Sequence, residues 1–400
     1  MSMLSLRRPR GLAAVPLLGY GFRPFFLAAA LWAPLAMLLW IAAFTGQTAR
    51  LAVYGATAWH AHELLFGYLA ATLAGFLLTA SANWTGRPPL QGGILLALAL
   101  LWLAGRLALL AAAEIGIATA ALVESLFLVA LALLVGREIV AARNWRNLRI
   151  VALVAALAAA NLAYHAEVVR TGQADVAARV ALALILVLLM VIGGRITPSF
   201  TRNWLIAQGA ARMPALFGRL DTAAIAVGGT ALALWALGPE QPLAAGLLLA
   251  AAALHVVRLA RWHGARTWRE PIVLVLHVGY GFVPLGFGLA ALAAVRPDLL
   301  APDAALHAWT AGAIGVMTLA VMTRVSLGHT GRAVTASRAT VAIYAAVVLA
   351  ALLRIAAPLS ALALPLLVAS GLLWVAAFLG FLVCYGPILV RARAPGPASC

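Results

Sequence analysis

No lysine occurs in the 400 residues, and cysteine and acidic side chains are scarce, at 2 and 11. Two cysteines, Cys384 and Cys400, exclude a disulfide framework, and no CxxCH run is present for covalent haem attachment. Both are read as inert thiols near the C-terminus. No Walker or dinucleotide fingerprint appears, and no run of basic residues interleaved with aromatics suggests nucleic acid. Charged residues make up 10% of the chain against 65% hydrophobic, with a mean hydropathy of +1.04, which excludes a water-soluble domain.

What is abundant is apolar sequence in runs long enough to cross roughly 30 Å of hydrocarbon. Twelve are expected, at about 24–44, 57–80, 92–113, 116–136, 150–169, 176–196, 221–238, 242–262, 272–295, 303–325, 338–357 and 361–388. The chain therefore reads as an all-α integral membrane protein forming a single polytopic domain over 1–400. The N-terminal "RRPRGLAAV" and the apolar stretch after it lack a clear cleavage site and read as an uncleaved first helix. All 28 basic residues are arginines, and their distribution orients the spans. The N-terminal tail holds Arg7, Arg8, Arg10 and Arg23, and the even-numbered loops hold Arg137, Arg143, Arg146 and Arg149, then Arg195, Arg202, Arg212 and Arg219, then Arg258, Arg261, Arg266 and Arg269. The odd loops carry Arg50, Arg170, Arg179 or Arg296 singly, beside Glu114, Asp175, Glu240, Asp298 and Asp303. Both termini are expected in the cytoplasm, and the net charge of +17 is this orientation signal together with contact to anionic lipid headgroups.

Internal periodicity is visible. "GYGFRP" at Gly19–Pro24 returns as "GYGFVP" at Gly279–Pro284. "HELLFG" from His62 matches "HAWTAG" from His307, and both lead to a terminal "TGR", at Thr85–Arg87 and Thr330–Arg332. "RITPSFTR" from Arg195 is a weaker third copy. Helices 2, 6 and 10 are thus alike, implying three parallel four-helix units at about 1–149, 150–270 and 271–400.

Ionisable side chains inside spans are costly and mark candidate function. His60, His62, His165 and His307 all fall in the outer part of the membrane, at the start of helix 2, the end of helix 5 and the start of helix 10. At about 100° per residue, His60 and His62 point to nearly opposite helix faces, whereas His60 and Glu63 share one. His62 and His307, at one depth on two helices, suit axial ligation of a haem, which would be b-type. Gly67, Gly75, Gly312 and Gly315 leave room for a flat macrocycle or for close helix packing. His60, Glu63 and His165 form a candidate non-haem site for iron, copper or zinc, or Glu63 carries protons. Arg106 and Glu124 are either a neutralising pair or, respectively, a contact to a haem propionate and a step on a proton path. His277 stands alone in helix 9 as a hydrogen-bonded core residue or a metal ligand. His255 and His263 read as interfacial, and His329 as part of a surface loop.

"GYGFRPFF", "WHAHELLFGY…AGFLLTASANWTGRPPL", "GGRITPSFTRNWL" and "HAWTAGAIGVMTLAVMTRVSLGHTGR" resemble the NnrS family over essentially the whole chain. The resemblance implies a multi-pass protein of the bacterial cytoplasmic membrane, containing haem and copper and linked to nitric oxide and denitrification. Twelve helices in three arcs also resemble the catalytic subunit of haem-copper oxidases and nitric oxide reductases, where helices 2 and 10 supply the haem histidines. By repeat position these match His62 and His307. Helices 6 and 7 contain no histidine here, so the oxidase-type copper site is missing and a second metal, copper or iron, would need other ligands. The expected activity is nitric oxide binding, with reduction to nitrous oxide in nitrosative-stress defence or denitrification. A quinol or a redox protein would donate electrons, and Glu63 or Glu124 would deliver protons. If both histidines ligate one iron, nitric oxide chemistry shifts to the second metal; if one does, the haem is the nitric oxide site. The rivals are a transporter of a metal or small ligand and a haem protein that binds or senses nitric oxide without turnover.

Overall fold

The computed structural model describes residues 11–394 apart from 50 and 52, and throughout these the chain is helical, without strands. Arg7, Arg8, Arg10, Arg50 and Cys400 lie outside the described residues. Among the described residues, twelve helices are long and apolar enough to span a membrane. They are α1 (Phe22–Phe44), α2 (Ala56–Thr85), α3 (Gly93–Leu110), α4 (Ile117–Ala141), α5 (Trp145–Thr171), α6 (Asp175–Ala207), α7 (Arg219–Leu237), α8 (Pro242–Ala260), α9 (Pro271–Val295), α10 (Pro302–His329), α11 (Arg338–Leu359) and α12 (Ala363–Val390).

The ends follow local chemistry. Pro242, Pro271 and Pro302 open α8, α9 and α10, where a missing N–H costs nothing. The Ser337 hydroxyl caps α11 by accepting from the Thr340 amide at 3.2 Å. Gly86 and Gly172 close α2 and α5 with φ of 68° and 77°, the left-handed geometry that glycine adopts without strain. Several helices overrun the spans expected from hydropathy, because hydropathy marks the hydrocarbon and the helix continues beyond it. α6 continues through Pro198 to Ala207.

Each helix packs on its neighbours in sequence, and α12 packs back on α1. The Arg23 guanidinium secures that closure by donating to the carbonyls of Leu389 and Arg391 at 2.8 and 2.6 Å. Within the resulting bundle α2, α9 and α10 are the innermost, with 78%, 67% and 67% of their apolar windows buried against 33–56% for the others.

Both α2 and α10 are irregular at the same place. A π-helical stretch, Glu63–Tyr68, follows His62, and another, Ala308–Val316, follows His307. Single π turns widen a helix and occur most often where side chains must be aimed. Gly312 and Gly315 lie within the second stretch, where an added Cβ would strike Phe282 and Trp374 respectively, so these glycines serve close packing.

A buried polar network also ties α6, α7, α8 and α9 together. Arg258 Nε donates to Asp221 Oδ1 at 2.8 Å, and its Nη1 donates to the Met190 carbonyl at 3.0 Å and to the Tyr280 hydroxyl at 2.6 Å. Tyr280 passes a hydrogen bond to His255 Nδ1 at 2.9 Å, and His255 Nε2 donates to the Ala224 carbonyl at 3.1 Å. His255, expected at the interface, is fully buried here because α8 packs between α7 and α9. Gly194 admits the guanidinium, since a Cβ there would overlap Arg258. Gly194→Ala is therefore expected to destabilise by about 1–3 kcal/mol through overpacking. Gly246→Ala, with open space around it, should be neutral or slightly stabilising. Thermal unfolding in detergent compares the two.

Candidate functional site

Five ionisable side chains from four helices meet beside the π turn of α2. His62 and Glu63 come from α2, Arg106 from α3, Glu124 from α4 and His165 from α5, and none is more than 3% exposed. Arg106 Nη1 donates to both oxygens of Glu63 at 2.8 Å, and its Nη2 donates to Glu124 Oε1 at 2.5 Å. Asn161 Nδ2 donates to Glu124 Oε2 at 2.6 Å. His62 contacts Glu63 through Nδ1 at 3.1 Å and the Asn161 Oδ1 through Nε2 at 3.0 Å. His165 Nε2 lies 3.1 Å from Glu124 Oε2, and its Nδ1 lies 2.9 Å from the Tyr54 hydroxyl. Gly67 makes room for this cluster: a Cβ there would stand 2.8 Å from Trp32 Nε1 and 2.9 Å from Glu63 Oε2, and against Arg106.

Charge balance sets what the cluster can hold. Two buried carboxylates face one guanidinium, and an uncompensated charge in this setting costs several kcal/mol. One further positive charge is needed, and either a proton on an imidazole or a metal ion supplies it. The ligand atoms of His62, Glu124 and His165 all lie within 4.8 Å of one another, the convergence that a two-histidine, one-carboxylate metal site requires.

His60 points the other way. It stacks on Trp40 with ring centroids 4.1 Å apart, and it lines a cavity of about 700 Å³ together with His307, Arg179 and Arg354. Linings from Gly55, Gly172, Pro239 and Pro302 place this cavity at the end of the bundle formed by the odd-numbered loops. His60 Nδ1 is buried without a hydrogen-bond partner. His307 Nδ1 donates to the Asp303 carbonyl at 2.7 Å, which leaves Nε2 with its lone pair free. Tyr164 separates cavity from cluster: it lines the cavity, and its ring meets His62 edge-on at 5.4 Å.

The sequence expectations are thus re-paired. His60 and His62 do face opposite sides of α2, but it is His60 that shares a cavity with His307. His62 has both ring nitrogens occupied in the cluster and does not line that cavity. Glu63 joins His62 and Arg106 instead of His60, because its carboxylate is drawn to the guanidinium across the α2–α3 contact. Arg106 spans Glu63 and Glu124 and lies off the cavity, where Arg354 and Arg179 take the position expected of it. His277 is apart from both, 2.7 Å from the Thr201 hydroxyl. His329 ends α10 and packs its ring on Tyr20 and Phe22. Sequence reasoning missed Asn161, Tyr54, Arg354 and the Arg258 network. Asn161 and His165 sit four residues apart in an apolar span, one helical face, and that spacing was the available signal.

Arg106→Gln leaves the two carboxylates without their shared cation and is expected to cost about 3–5 kcal/mol. Glu138→Gln weakens the pairs that a buried Glu138 makes with half-exposed Arg87 and Arg137, whose charges stay in water, and should cost about 1 kcal/mol, well below Arg106→Gln. Unfolding midpoints in detergent check both. No curated protein matches the chain. The family model described as NnrS protein matches residues 16–393, a span that includes both the cavity and the cluster. The chain belongs to the NnrS family, membrane proteins related to nitric oxide and associated with haem and metal binding.

Proposed function

We propose that this protein holds a b-type haem in the cavity between α2 and α10 and a copper or iron ion in the buried cluster, and that it binds nitric oxide and reduces it to nitrous oxide. The observation that carries the reading is the cavity of about 700 Å³ with an imidazole on each of two helices and arginines on its wall. The residues fit a haem on several counts. The volume lies in the range of cofactor sites. His307 is oriented by the Asp303 carbonyl as a metal-bound imidazole commonly is, and His60 brings a second imidazole to the cavity wall. Arg354 and Arg179 supply the cations that carboxylate substituents need, and Leu64, Leu69, Leu182 and Ile314 are apolar walls for a macrocycle.

The overall reaction joins two nitric oxide molecules with two electrons and two protons to give nitrous oxide and water. A bound haem iron supplies one-electron chemistry and affinity for nitric oxide. The chain contributes position and protons. His62, Glu124 and His165 converge on the space where a second metal would stand. With Glu124 and His165 engaged as ligands, Glu63 is the carboxylate left to carry protons, and the Tyr54 hydroxyl, 2.9 Å from His165 Nδ1, orients that imidazole. Arg106 holds Glu63 and Glu124 at fixed orientation throughout. The arginine bias of the even loops supports a bacterial cytoplasmic membrane with both termini inside, so protons would enter from the outer face. The shared π irregularity supports the likeness of α2 and α10, while α6 lacks it.

The test is the optical spectrum of detergent-purified protein, oxidised and dithionite-reduced, with and without nitric oxide, beside elemental analysis for iron and copper. A b-type reduced spectrum that nitric oxide alters, followed by nitric oxide consumption, is expected. His60→Ala and His307→Ala should each disturb the haem spectrum, whereas His62→Ala and His165→Ala should retain haem and lose the non-haem metal. Normal haem in both His60→Ala and His307→Ala would overturn the ligand assignment. Haem that binds nitric oxide without consuming it would leave a buffering protein, and a colourless, metal-free preparation would favour transport.

A further inference from the structure

A second recess, of about 100 Å³ and partly open to the surface beside half-buried Leu73, Phe76, Ile192 and Val321, lies among α2, α6 and α10. Leu73 and Phe76 of α2, Leu189 and Ile192 of α6, and Met317 and Val321 of α10 are on its wall. About 10–15 Å³ of such space suffices for one water-sized particle, so several would fit. Its wall offers no hydrogen bond. The two hydroxyl residues that reach it, Thr72 and Thr318, turn their oxygens back to the carbonyls of Tyr68 and Ile314 at 3.2 and 2.6 Å, presenting methyl groups. Water needs two to four polar partners to be held in place, and an apolar recess without them takes up xenon or small apolar molecules instead. The chamber adjoins the large cavity: Leu69 and Ile314, 7% and 4% exposed, line both and form the wall between them.

We propose that this chamber is a binding site for a small uncharged gas, held beside the large cavity and passed to it across the Leu69–Ile314 wall. An ion or a hydrogen-bonding ligand would lose its hydration there for no return, whereas a neutral diatomic loses little. Two apolar side chains form the partition, so a diatomic meets no charge or hydrogen-bonding group in crossing it. That the gas is nitric oxide rests on the function proposed above. That the chamber takes a gas at all rests on its lining alone.

Two measurements separate these. Crystals of the full-length protein pressurised with xenon should show an anomalous peak among α2, α6 and α10, absent from Ile192→Trp. No peak in the wild type, or density for a lipid acyl chain in its place, would overturn the site. In stopped-flow mixing of nitric oxide with the reduced, haem-loaded protein, Ile192→Trp should slow association at least about tenfold with an unaltered haem spectrum, the signature of a restricted approach. Unchanged rates in a variant whose xenon site is filled would overturn the passage. A preparation without haem would refute the cofactor assignment, and the xenon result would still decide the chamber.

Discussion

One guanidinium holds the α2–α5 part of this bundle together. Arg106 is fully buried, and its bonds to Glu63 and Glu124 join α2, α3 and α4, while Asn161 and His165 bring in α5 through the same carboxylate. In a hydrocarbon setting neither charge can be left alone, so the helices must come to the one register in which all are paired. The glycine at position 67 and the π turn around it follow from that demand, since a regular helix with a side chain there would occupy the space of the guanidinium. Charge pairing, rather than apolar packing between helices, is what sets this register. Leucine gains little by leaving lipid for another leucine.

The same cluster divides the molecule chemically. On one side of α2 lies a dense network of buried ionisable groups; on the other lies a wide cavity lined by His60 and His307, whose imidazoles carry fewer hydrogen bonds. Hydrogen-bonded polar networks rigidify, and a ring nitrogen without a protein partner, such as His307 Nε2, is free to meet a ligand. Tyr164, anchored by donating to the Ala58 carbonyl at 2.8 Å, is the thin partition between them. An arrangement with two neighbouring sites, one suited to a macrocycle and one to a single ion, accords with the association of the NnrS family with haem and metals.

The Arg258–Asp221 network does for α6–α9 what Arg106 does for α2–α5, with one carboxylate in place of two. Because Asp221 balances Arg258 directly, no further cation is required, and His255 ends the file on a backbone carbonyl. The two buried networks therefore differ in kind: one is closed and structural, while the other has a charge still to be met.

The sequence by itself determined the class, the number of spans and the list of costly residues, because hydropathy and span length are local properties read directly from composition. It also determined that His60 and His62 face opposite sides of one helix, since that follows from 3.6 residues per turn. What it could not determine is which neighbour stands on each side. His62 and His307 occupy matching places in their motifs, yet it is His60 that lines a cavity with His307, and His62 converges with Glu124 and His165. Asn161, Tyr54 and Arg354 likewise carry no local signal of their partners. Those pairings depend on contacts between helices far apart in the chain, and only the tertiary structure, by requiring every buried charge to be met, decides them.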